Sequence, residues 1–283
     1  MKIRILTDSA CDIPLEEKLS NVNIMNFHIA IDGKDYEERA DFSFTEFYDI
    51  LNECRDIPST SHITMISFCE KYAELHKEGV TDVIHVTINK TGSATYDAAV
   101  MARKMFLDEM PDCNMNITIV DSRCYSVAYG YPIMQANKMI DEGMPPEQII
   151  EYLIKRFENN EILLATYTLK FMKKSGRISA AAAFAGELMG FRPVISMFHG
   201  KTEVLQKVRG DKLVIPALIA QFKERADDYQ DYIIAYTRPE YGEELLESCI
   251  REIGYPPKGQ FFLGCAVTIN AGPQSLGIAF QRK

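Results

Sequence analysis

Apolar and polar positions follow two rhythms along the chain. Residues 3–7, 83–88 and 117–120 are compact, β-branched runs with few polar breaks, the pattern of strands buried on both faces of a parallel sheet. The first and third end at Asp8-Ser9 and Asp121-Ser122, so each stops at a polar loop. Between and after them apolar residues recur at helical spacing. The pattern predicts helices over 46–54 behind a cap at Ser43 or Thr45, over 67–76 opening at Ser67, and over 95–109 with Ala98, Met101, Ala102, Met105 and Phe106 in register. Another spans 129–142, closed by Gly143, and Met144-Pro145-Pro146-Glu147 opens one running to about Phe157. Strands alternating with helices of this length predict an α/β fold with a mainly parallel sheet.

Beyond residue 160 the rhythm changes. Residues 162–168 predict a strand, 170–174 a short basic turn, and 180–189 an Ala-rich helix. Runs at 194–197 and 202–208 form a hairpin pattern around His199-Gly200-Lys201. A helix over 214–226 follows, then strands at 232–236 and 262–269 flanking a helix over 243–253. The expected organisation is two α/β domains, a parallel-sheet domain over 1–160 and a mixed-sheet domain over 161–283. No internal repeat or low-complexity tract interrupts them.

Composition narrows the function. The chain of 283 residues is 47% hydrophobic, enough to build cores without a metal or disulfide framework. Its net charge of −9 argues against nucleic acid as a partner, since such binding neutralises phosphates with a basic face. The 7 Cys are odd in number and irregularly spaced, with no CxxC pair, which suits reduced thiols better than a zinc ribbon. The chain opens directly on a strand, and no window approaches the roughly 18 apolar residues of a membrane span. The expectation is a cytoplasmic protein without a transmembrane segment, for which transient membrane contact stays open.

In parallel α/β sheets ligands bind beyond the carboxyl ends of the strands. Asp8-Ser9 and Asp121-Ser122 fall there, as does the loop Asn89-Lys90-Thr91-Gly92-Ser93-Ala94-Thr95, whose hydroxyls and helix-opening amides suit an anion. A second hydroxyl cluster, Pro58-Ser59-Thr60-Ser61-His62-Ile63-Thr64, precedes another helix. The plain alternative is that these residues only cap helices, and it is the better reading for either loop alone. Taken together, two such loops and two strand-end pairs favour a site. The basic segment Lys173-Lys174-Ser175-Gly176-Arg177-Ile178-Ser179 also serves as a solvated turn with Ser179 as a cap. No GxxxxGK[ST], GxGxxG, GxSxG, HxH or HExxH pattern occurs, so neither a nucleotide loop, a hydrolase elbow nor a catalytic metal is signalled. His28 and His85 sit in apolar runs and are expected to pack. A Ser-dependent hydrolase or transferase using Ser93 or Ser61 stands as the rival from another class.

The ordered motifs resemble the DegV family. They are Thr7-Asp8-Ser9 with Asp12 and Pro14, Pro58-Ser59-Thr60-Ser61, Ser93-Ala94-Thr95-Tyr96, Val120-Asp121-Ser122, and Leu169-Lys170 through Gly176-Arg177-Ile178-Ser179. Arg192-Pro193-Val194-Ile195 and Gly272-Pro273 with Leu276-Gly277 complete the set, which spans nearly the whole chain. The resemblance implies two α/β domains enclosing a long-chain fatty acid, and no cofactor. Carried over by motif, Ser93, Thr60 and Ser61 in hydroxyl-rich loops of the first domain, with Asn270 of the second, would hold the carboxylate. The second domain would form much of the acyl tunnel, with Phe184, Leu188, Met189, Phe191 and Ile195 as its lining.

Some family members serve as the binding subunit of a fatty-acid kinase, so a separate ATP-binding subunit is an implied partner. Lys174, Arg177 and Arg209 would then dock it or steady the phosphoryl charge. A lipid carrier or sensor without that partnership is the alternative. Three features depart from the family pattern: Asn270 stands where His is common, Lys90 and Ala94 enter the Gly-rich Ser loop, and Gly210-Asp211-Lys212 replaces a basic cluster. The lipid pocket tolerates these departures more readily than the kinase role does.

Overall fold

The computed structural model describes residues 1–176 and 190–283. Its first half is built on a four-stranded parallel sheet of β1 (Ile3–Asp8), β2 (Val22–Met25), β6 (Asp82–Thr87) and β7 (Asn116–Asp121), in the order β2-β1-β6-β7. β1 and β6 are buried along almost their whole length, which is why they carry no polar alternation. On one side α2 (Met65–Lys77) and α3 (Thr95–Glu109) pack together and cover the sheet. There His85 is fully buried under Phe68 and Tyr72, with the Tyr72 hydroxyl 2.7 Å from its Nδ1. Burial lowers its pKa to about 3, so this imidazole is neutral and packs as expected.

A small antiparallel sheet, β4-β3-β5, joins β3 (His28–Ile31), β4 (Lys34–Glu37) and β5 (Ser59–Ser61). The apolar run at His28 becomes β3, whereas β4 and β5 were not expected, because their sequences KDYE and STS are mostly polar. His28, expected to pack, is exposed here and pairs with Asp35 at 2.8 Å. The sheet is covered by α1 (Phe44–Glu53), which opens with a capping box of Ser43 and Glu46.

The second half is a six-stranded mixed sheet in the order β10-β9-β8-β13-β11-β12. Its strands are β8 (Asn160–Thr166), β9 (Phe191–Phe198), β10 (Lys201–Arg209), β11 (Tyr232–Tyr236), β12 (Gln260–Phe262) and β13 (Ser275–Gln281). All pairs are antiparallel except β11 with β12. Period-two alternation sorts its faces. Leu163, Ala165, Leu276, Ile278 and Phe280 face the core made with α7 (Val214–Arg225) and α8 (Pro239–Ile253). Ile233, Ala235 and Ala279 instead join the first-half core. There α4 (Val127–Asp141), with α5 (Pro146–Asn159) beside it, meets β1 on one side and β8 and β13 on the other. One helix therefore serves both sheets.

Two segments differ from expectation. Residues 170–174 form not a turn but the start of α6 (Lys170–Ser175), whose Phe171 and Met172 are buried. Residues 262–269, expected as one strand, split into the end of β12 and α9 (Cys265–Ala271). A short apolar run does not by itself distinguish helix from strand. Here burial decides, since Cys265 and Ile269, one turn apart, pack with Ile29, Phe47 and Phe171 in a core shared by the small sheet, α1, α6 and α9.

Candidate functional site

The loop from β6 into α3 is held from several sides. The Ile88 amide donates to Asp8 Oδ2 at 2.8 Å and the Asn89 amide to the Cys124 carbonyl at 3.1 Å. Lys90 N–H donates to Asp121 Oδ1 at 3.1 Å, and the same oxygen accepts the Arg123 amide at 2.9 Å. The two strand-end Asp residues thus stand behind the site as holders of its loop. Gly92 is required by close approach: a Cβ there would lie 2.4 Å from the Tyr125 hydroxyl, which itself accepts from Asn89 Nδ2 at 2.8 Å. Ser93 Oγ accepts the Thr95 amide at 3.3 Å and lies 2.8 Å from Thr95 Oγ1, a local turn just ahead of α3, whose N-cap is Ala94 with no side-chain cap bond. The loop reaches the second half through the Thr91 hydroxyl, which donates to the Gly200 carbonyl at 3.1 Å in the β9–β10 turn.

In the other hydroxyl cluster the roles divide. Thr64 caps α2, accepting the Ser67 amide at 3.2 Å. Thr60 and Ser61 lie on β5, opposite Ile29 and His28 of β3. α9 runs beside β5 and presents Ala266, Val267, Asn270 and Ala271 on one face, while Asn270 Nδ2 donates back to the Ala266 carbonyl at 2.7 Å.

These pieces enclose a cavity of about 570 Å³, within the roughly 300–1,000 Å³ of small-molecule sites. Ser93, Thr60, Ser61 and Asn270, brought from three separate segments, all line it. Lys90, His62, Asp97 and Tyr125 add its charged or titratable groups, while Phe27, Ile88, Leu263 and Val267 give apolar wall. The large sheet adds Ile162, Leu164 and Met197. A cavity with hydroxyl and amide donors on apolar walls can hold an anionic head joined to a hydrocarbon body, since the anion finds oriented donors and the hydrocarbon leaves water.

Behind this wall lies a group of buried acids, of which the sequence marked Asp8 and Asp12 but not Glu38. Glu38 accepts Ser9 Oγ–H at 2.5 Å and the Ala266 amide at 2.8 Å, and Ser9 Oγ in turn accepts the Phe27 amide at 2.9 Å. Asp12 accepts the Ser126 hydroxyl at 2.5 Å, and Asp8 accepts the Tyr129 hydroxyl at 2.6 Å. All three carboxyls are fully buried, and desolvation pushes each pKa upward, that of Asp8 to about 6. Ala10, Ser126 and Ala266, which neighbour or contact these acids, line the cavity, so the acids brace its wall from inside. Glu38 is hidden in the charged run Glu37-Glu38-Arg39, where nothing local sets it apart from its solvated neighbours. Among the described residues no cluster of three His, Cys, Asp or Glu side chains is arranged to hold a metal ion.

The remaining expected residues fall elsewhere. Ile195 is fully buried against Leu164, Met172 and Ala271, next to the lining but not part of it. Phe191 is half-buried at the start of β9, opposite Arg209 at the exposed end of β10, and is not among the lining residues either. Lys174 Nζ donates to the Ile57 carbonyl at 2.9 Å, tying α6 to the segment that leads into β5. Arg177, Phe184, Leu188 and Met189 lie outside the described residues.

Comparison with known proteins agrees across the full length. A DegV domain-containing protein of Caldanaerobacter subterraneus subsp. tengcongensis is 29% identical over 288 residues, covering 100% of this chain and 99% of its own. A Thermotoga maritima protein named as a fatty acid-binding protein is 27% identical, covering 99% of this chain and 98% of its own. The crystal structure of a fatty acid binding DegV family protein from Streptococcus agalactiae superposes with a TM-score of 0.85 at 25% identity, covering 100% of this chain and 99% of its own. No described helix is long and apolar enough to cross a membrane. The family model described as "Uncharacterised protein, DegV family" matches residues 2–283, and the chain belongs to the DegV family.

Proposed function

We propose that this protein binds one long-chain fatty acid, its tail against the apolar wall and its carboxylate held by Ser93, Thr60, Ser61 and Asn270. The observation that carries this reading is the convergence of those four side chains on a single cavity of about 570 Å³ whose other walls are largely apolar. The names of its relatives from Thermotoga maritima and Streptococcus agalactiae point the same way. Two domains, 1–160 and 161–283, share the work: the first brings the hydroxyl-bearing loops, and the second brings Ile162, Leu164 and Met197 to the acyl chain. Burying about fifteen methylenes at ~0.8 kcal/mol each gives a gross gain of ~12 kcal/mol before ordering costs, enough for retention through purification.

The finer reading is that the bound carboxylate is presented to a separate ATP-dependent kinase subunit, with Lys174, Arg177 and Arg209 meeting that subunit. The exposure of Lys90 in the lining loop supports it, because a head group beside that residue is within reach of a second protein. Native mass spectrometry of freshly purified protein, with lipid extraction, tests the first reading. One co-purifying fatty acid is the expected result, and protein that is empty and ignores added fatty acid refutes it. Incubation with ATP and a competent kinase subunit tests the second, with acyl phosphate as the expected product and its absence as the refutation.

A further inference from the structure

We propose that Lys90 is a specificity residue of this cavity, pairing its ammonium with the charged head of the ligand so that ionised lipids are preferred over neutral ones of the same length. The inference rests on the fatty-acid reading and deepens it.

Three observations converge on Lys90. First, its backbone is fixed where a head group would lie. Its N–H is bound to Asp121, the next residue is bound through Thr91 to Gly200, and Ser93 lies three positions on in the same lining loop. Second, its ammonium is held loosely. The nearest carboxylate oxygen, Asp121 Oδ2, is 4.0 Å away, the Tyr96 ring centroid is 5.6 Å away, and the side chain is 55% exposed. Among the described residues no hydrogen-bond acceptor engages Nζ, so all three of its donors are available at modest cost. Third, the cavity contains an opposing charge. Asp97, in the first turn of α3, lines the same space and by itself disfavours an anion there. Apart from His62, Lys90 is the one basic side chain among the described lining residues, and hence the group positioned to offset Asp97.

The hydroxyls of Ser93, Thr60 and Ser61 can donate to a carboxylate, an alcohol or an ester alike, more strongly to the carboxylate, so they favour a charged head without requiring one. A compact ammonium reads charge. The wild-type protein, Lys90→Gln and Lys90→Arg are titrated with a long-chain fatty acid and with the fatty alcohol of equal length, at low and high salt. The expected result is that Lys90→Gln weakens acid binding about five-fold at low salt, leaves the alcohol unchanged and flattens the salt dependence, while Lys90→Arg restores the acid. Lys90→Gln binding the acid as tightly as wild type overturns the proposal, as does an equal loss for acid and alcohol. A wild-type protein that binds neither lipid sinks the fatty-acid reading and this one with it. Wild-type binding with an indifferent Lys90→Gln sinks this one alone.

Discussion

Glu38 accepts the amide hydrogen of Ala266 at 2.8 Å, linking residues 228 positions apart. Ala266 lies in the first turn of α9, so a carboxylate from the first half satisfies an amide that the helix itself leaves unpaired. The other carboxylate oxygen is taken by Ser9, and that hydroxyl holds Phe27, a wall residue of the cavity. Glu38→Ala therefore orphans the Ala266 N–H and the Ser9 O–H together, each buried. The expected cost is about 2–5 kcal/mol in denaturant unfolding, with Glu38→Gln losing less because one acceptor remains. A change below about 0.5 kcal/mol would show that the link is dispensable.

Gly92 offers a test of loop geometry. Gly92→Ala puts a methyl 2.4 Å from the Tyr125 hydroxyl and 2.8 Å from the ring, so the ring moves or the loop does. Either way the Asn89–Tyr125 hydrogen bond is lost, and the expected destabilisation is about 1–3 kcal/mol. Tyr125→Leu in the same chain should recover part of it by removing the obstacle. Equal stability of Gly92→Ala and wild type in thermal melts would mean the loop has slack that the contact distances deny.

Asp8 gives a pH dependence with a defined sign. Burial outweighs the hydrogen bonds from Tyr129 and Ile88 and raises its pKa to about 6 from its ordinary value of 3.8. Between those two values the folded state holds a proton that the unfolded state has released, so stability falls as pH rises through this window and levels off above it. Asp8→Asn removes the titration. The stability of wild type minus that of Asp8→Asn should accordingly decrease from about pH 4 to about pH 6 and then stay constant. Parallel denaturant titrations of the two proteins at several pH values measure it, and a difference that is flat or grows with pH contradicts the assignment.

The sequence carried the elements whose burial is uniform. β11 at 232–236 and α3 at 95–109 match the hydrophobic pattern to the residue, because one is buried along most of its length and the other keeps Ala98, Ala102 and Phe106 on one stripe. The small sheet could not be assembled from sequence because β3's partners β4 and β5 contribute backbone pairing and almost no apolar side chain. α9 was misread because its fold is set by partners far away in sequence, Glu38 at its first turn and Ile29 and Phe47 on its flank. The site divides in the same way. Ser93, Thr60, Ser61 and Asn270 could be named beforehand, since polar loops at strand ends and a known motif order mark them. That they share one cavity, with Ile162, Leu164 and Met197 as its apolar side, depends on how the two sheets meet across α4.

Ser93 separates a binding role from a local turn role. Its hydroxyl receives the Thr95 amide at 3.3 Å in a turn just ahead of α3, and losing one such hydrogen bond costs about 1 kcal/mol. A hydrogen bond to a charged carboxylate is worth about 1.5–3 kcal/mol, so Ser93→Ala should weaken binding of the proposed fatty acid about ten- to a hundred-fold. Thr60→Val, which keeps the shape of the side chain, should act in the same direction, and the double variant should lose most of the carboxylate's hold. Stability and affinity are then to be measured on the same samples, by melting without lipid and by titration with it. A large loss of affinity with a small loss of stability assigns the hydroxyl to the ligand. Matching small losses in both would return Ser93 to its turn ahead of α3, and would leave the carboxylate to Thr60, Ser61 and Asn270.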